Sequence, residues 1–136
     1  MTLPRLQWFG AVLLCGFFYG FIGVVFALPS NHVRLWRLAA WMTSGAVYGV
    51  HVVYEMFGLR KSPFVIALHA AMAVGLGAFL LAVAATVHAA MVPSHTPFWR
   101  FRLALLVWPI VTAVPAFVVA VIAGVLLGRL AKAHAA

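Results

Sequence analysis

The amino-acid sequence predicts an all-α membrane protein, a bundle of four transmembrane helices in up-down-up-down order. Three observations carry this. Hydrophobic residues make up 67% of the chain and charged residues only 7%, whereas a soluble domain has about a quarter of its residues charged. Four apolar runs reach the roughly 20 residues that a membrane-spanning helix needs. The breaks between them are short and hold charges, prolines or capping residues. The 136 residues therefore read as a single integral-membrane domain, 1–136.

The first helix is expected over about residues 6–28, stopped by "LPSN". "VFA" before Leu28 resembles a signal-peptide cleavage site. The apolar run is about twice the usual length for such a peptide, and its head carries only Arg5, so the segment is expected to remain as a span. The second helix is expected over about 33–57, with Arg34 and Arg37 at its start and Gly58 behind it as a left-handed C-terminal cap. The third is expected over about 64–91, opened by Ser62-Pro63. The fourth is expected over about 98–127, opened by Thr96-Pro97. In each pair a hydroxyl can cap, and proline can take the first helical position without losing a hydrogen bond. Pro109 and Pro115 fall inside the fourth helix and are expected to kink it. Trp8, Phe9, Trp36, Phe98 and Trp99 lie near helix ends, as in an interfacial aromatic belt.

Nine Lys and Arg face a single acid, Glu55, giving a formal charge of +8. In so apolar a chain the basic residues are assigned to phospholipid headgroups, and nucleic acid is excluded as a partner. One membrane side receives Arg5, Arg60, Lys61, Arg129 and Lys132; the other receives Arg34, Arg37, Arg100 and Arg102. This slight excess places both termini in the cytoplasm of a bacterial-type inner membrane and leaves dual topology open. Cys15 is alone, so no internal disulfide can form.

Small residues four apart let helix backbones approach closely in lipid. Three Gly-x-x-x-Gly pairs occur: Gly16 with Gly20, Gly45 with Gly49, and Gly124 with Gly128. The third helix carries Ala67, Ala71 and Gly75. Packing within the chain is the expected role, with a homodimer face or a membrane-complex partner as the alternative.

The second helix also carries a polar stripe. At about 100° per residue, Ser44, Tyr48, His51 and Glu55 share one face, which should turn into the bundle. Residues 58–62 allow only an antiparallel hairpin, so depth mirrors about residue 60. His51 and His69 then fall at one depth, as do His32 and His88 in a second, weaker pair. Glu55 needs a partner, and His51 is placed first, ahead of His69, Arg60 and Lys61.

Several readings remain open at this point. The stripe is a structural clamp, or a site for proton or cation transport, since histidine titrates near neutrality beside the carboxylate. His51, Glu55 and His69 have the donor types to hold a divalent metal, and His51 with His69, or His32 with His88, to hold haem b. A non-catalytic accessory or scaffold subunit is the remaining reading. Enzymatic chemistry is not expected: Asp is absent, no long loop exists, Cys15 lies among Leu and Phe, and His95 and His134 sit in a loop and near the terminus.

Overall fold

The computed structural model describes residues 3–28, 31–92 and 96–133. Among them are four long helices and no strand: α1 Leu3–Val25, α2 Val33–Val53, α3 Pro63–Met91 and α4 Phe98–Ala133. A π-helical turn, Tyr54–Gly58, continues α2. His95 and His134 lie outside the described residues. Three helical stretches are long and apolar enough to cross a membrane: Gln7–Val25, Pro63–Met91 and Phe98–Ala131. The fourth expected span, α2, does not reach that level of apolarity over its α-helical length. Arg34 and Arg37 sit in its first turns, and Thr43, Ser44, Gly45, Tyr48 and Gly49 dilute its middle.

The helix ends differ from expectation in instructive ways. Pro63 takes the first turn of α3, but Ser62 makes no side-chain cap. Its backbone carbonyl instead accepts from Ile66 N–H at 3.0 Å. Gly58 is not a left-handed cap. The helix does not stop there but widens, with Leu59 N–H donating to Tyr54 O at 3.1 Å. The left-handed residue is Arg60 (φ 48°), where the chain actually reverses. α4 runs through Pro109 and Pro115 as one helix.

α3 is the centre of the structure and packs most extensively on α4 and α1. Its seam is made of small side chains: Ala67, Ala70, Ala73, Gly77, Ala78 and Ala82 are all buried. Gly16 and Gly20 of α1 face Leu76 and Leu80, so residue numbers rise together along this pair. Gly77 lies directly against Tyr19 Cβ, and a side chain there would meet Gly16 O at 3.1 Å and Gly20 N at 3.2 Å. On the other side Gly75 faces Ala113, Gly124 faces Pro63, and Thr86 Oγ1 reaches Phe101 O at 3.5 Å, so numbers run oppositely along α3 and α4.

α2 behaves differently. Its first half is exposed from Val33 to Leu38, and it makes few contacts with α3. The tight α2–α3 hairpin expected from the short connection is therefore not the main packing unit. A short turn limits how far apart two helices begin, not how closely they pack. Gly45 and Gly49 have open space where a Cβ would stand and are exposed, so this pair packs on none of the described residues.

Candidate functional site

The chain's single acid sits inside the π turn and is fully buried, with 0% of its surface exposed. A π turn holds one more residue than the α-helix it interrupts, and such turns gather at functional sites. Here the wide turn breaks the even 100° step on which the shared face of His51 and Glu55 rested. The Glu55 side chain meets α3: His69 Nδ1 lies 2.8 Å from Oε1 and 2.7 Å from Oε2. His51 Nε2 stands further off, 3.4 Å from Oε1. The expected ranking of partners is thus reversed, with His69 bonded and His51 second. Arg60 and Lys61 form no ion pair with the carboxylate; Lys61 contributes only its backbone N–H, 3.2 Å from the Glu55 carbonyl.

The Glu55–His69 geometry holds one proton between two groups. With the carboxylate ionised, Nδ1–H donates to both oxygens. With the carboxyl protonated, it donates to a bare Nδ1. Burial removes water as the alternative partner, so the choice of state rests on the immediate neighbours. One neighbour is Trp8 of α1, whose ring stacks on the His69 imidazole at 4.4 Å and 8°. The stack fixes the plane of the imidazole and thereby aims Nδ1 at Glu55. Nothing in the local sequence around His69 signals this contact. Trp8 read as an interfacial anchor, and only the α1–α3 pairing brings it to the site.

His51 is buried, and apart from the 3.4 Å approach of Nε2 to Glu55 its ring nitrogens make no hydrogen bond to the described residues. A buried polar group left in this state costs about 1–3 kcal/mol. Cys15 of α1, a free and half-buried thiol, lies beside it. Tyr48 leaves the expected stripe: its hydroxyl donates to Ala116 O and ties α2 to α4. Ser44 is half-buried. The apolar wall next to the cluster is Val52, Ile66, Ala67, Ala70 and Ala120, with Met56 and Phe117 against it.

The second histidine pair does not assemble. His32 and His88 are both exposed, and no hydrogen bond or ring contact joins them. Among the described residues no three His, Cys, Asp or Glu side chains form a metal-ligand set. His51 and His69 both approach the Glu55 carboxylate, so the space between their rings holds a side chain and offers no slot for a porphyrin.

No protein-family model, no curated protein and no solved structure matches this chain.

Proposed function

We propose that the chain is a four-span integral membrane protein, in up-down-up-down order, whose Glu55–His69–His51 cluster binds and releases protons in a transport role. The fourth span is α2 with its π turn. From Leu38 to Phe57 the segment has the length to cross, and its imidazole and carboxyl groups, His51 and Glu55, are both buried. Arg34 and Arg37 sit at the far end, where long basic side chains reach the headgroups. The contacts that rise together along α1 and α3, and run oppositely along α3 and α4, support the alternation.

The observation that carries the functional reading is the fully buried carboxylate held at 2.7 and 2.8 Å by one imidazole with a second at 3.4 Å. Ionisable groups in membrane interiors are rare and mark proton or ion paths by default. Imidazole is the side chain whose unperturbed titration falls in the physiological range. The role is non-enzymatic, with both termini on the cytoplasmic side.

One observation favours a structural clamp instead: Glu55–His69 bridges α2 and α3, two helices with little other packing between them. Proteoliposomes loaded with a pH-sensitive dye separate the two. For a transport site, an imposed pH step collapses faster with the wild-type protein than in empty liposomes, and Glu55→Gln removes the difference while remaining folded. A clamp gives no flux in either protein.

A further inference from the structure

α1 and α2 diverge around an open groove of about 630 Å³. It begins between Gln7 and Tyr54 and runs up to Phe18 and Ala46. The steps from Gln7 to Phe18 cover about 16 Å of helix, at about 1.5 Å each. One leaflet is about 15 Å of hydrocarbon, half of a core about 30 Å thick. Gln7 also opens the apolar stretch Gln7–Val25 of α1, so the groove reaches from the membrane surface to about the midplane. Its sides are apolar and exposed: Leu14 and Val50 at 70%, Phe18 at 49%. Away from the mouth the wall offers no strong hydrogen-bonding group, because the ring nitrogens of His51 are sealed from the surface and Cys15 brings only a thiol. Gln7 and Tyr54 at the mouth are polar and exposed.

From these features we infer that the groove seats one acyl chain of an anionic phospholipid, with its headgroup at Arg60 and Lys61. An apolar channel one leaflet deep, polar only at its surface end, has the shape and polarity of a single lipid chain. Charge sets the headgroup. The turn that bears Arg60 and Lys61 follows directly on Tyr54, with Leu59 N–H bonded to Tyr54 O at 3.1 Å. Neither cation pairs with Glu55, which is fully buried and is the only acid in the chain. A phosphodiester supplies the missing counter-charge, and Gln7 and Tyr54 can donate to lipid oxygens beside it. A zwitterionic lipid brings a cation of its own to two cations. A second copy of this chain brings no exposed acid side chain either, so it answers the charge no better. The inference rests on the reading that α2 spans the membrane beside α1, not on proton transport.

The test is native mass spectrometry of the full chain released from nanodiscs of dioleoylphosphatidylglycerol and dioleoylphosphatidylcholine in equal parts. A retained lipid is expected, with the anionic one enriched at least about fivefold, the worth of one basic residue near the surface. Arg60→Gln combined with Lys61→Gln should erase the enrichment and leave a lipid bound. Ala46→Trp, placed in the exposed wall where folding is least at risk, should remove the lipid by filling the groove. A separate measurement checks the span: in Cys15→Ser, the thiol introduced by Ala46→Cys should be out of reach of a membrane-impermeant maleimide. Labelling there contradicts the four-span reading. Protection there, together with no retained lipid, equal retention of the two lipids, undiminished retention in Ala46→Trp, or a lipid-free dimer, overturns this inference alone.

Discussion

The α1–α3–α4 core and the α2 arm are built on opposite physical terms. In the core, Ala and Gly bring backbones together, and Gly77 lies against Tyr19 while Gly16 and Gly20 meet Leu76 and Leu80. Such packing gains from many short contacts and tolerates no added volume. α2 makes few contacts, leaves Trp41 and Met42 exposed, and has its Gly45 and Gly49 in open space. It is tied by two directed bonds, Tyr48 to Ala116 O and Glu55 to His69. Many close contacts make a rigid frame, whereas a few polar bonds make a directional attachment. His51 and Glu55 lie on the second kind of surface, and His69 meets Glu55 from the frame.

The contrast breaks most visibly at glycine. Gly77→Leu should prevent the fold or cost more than about 3 kcal/mol, because the new side chain meets backbone that cannot move aside. Gly49→Leu, with nothing within 4 Å, should stay within about 0.5 kcal/mol of wild type. Thermal unfolding and size-exclusion profiles in detergent check both. Equal damage from the two would end the distinction between frame and arm.

The polar attachments come next in size. Tyr48→Phe removes the bond to Ala116 O and should lower stability by about 0.6 kcal/mol, the average for membrane-interior hydrogen bonds. Glu55→Gln should lower it by an amount on the order of 1 kcal/mol, since the amide keeps part of the hydrogen bonding to His69. A double-mutant cycle with His69→Leu sharpens the reading. Coupling between Glu55 and His69 is expected, with much weaker coupling between Glu55 and His51 at its longer 3.4 Å. The smallest effect belongs to the turn. Arg60→Gly should gain a few tenths of a kcal/mol by relieving a left-handed backbone at φ 48°, which detergent melting curves resolve only as a slight rise.

Much of the frame was legible in the sequence, because hydropathy and proline or glycine punctuation are local properties. Pro63 opening α3 and the long α4 run are examples. The mirror relation about residue 60 set His51 and His69 at one depth and named His69 only as the second candidate partner of Glu55, whereas His69 is the one bonded. What was not legible depends on contacts far apart in sequence. Trp8 reaches His69 through α1–α3 packing, and Tyr48 finds Ala116 through α2–α4 packing. Gly77 outweighs Gly75 only because Tyr19 happens to face it. The π turn left no signal beyond Gly58. Gly45 and Gly49 show the converse: a packing pattern in sequence says that a helix can be approached closely, not that anything approaches it.

The account's central claim is that Glu55, with His69 and His51, binds and releases a proton. Infrared difference spectroscopy between about pH 5 and pH 9 tests it most directly, because Glu55 is the chain's only acidic side chain. The account predicts a protonated-carboxyl band that grows on acidification, is absent from Glu55→Gln, and shifts in frequency in His69→Leu. A carboxyl signal that stays constant across that range, or one that survives Glu55→Gln, would contradict it.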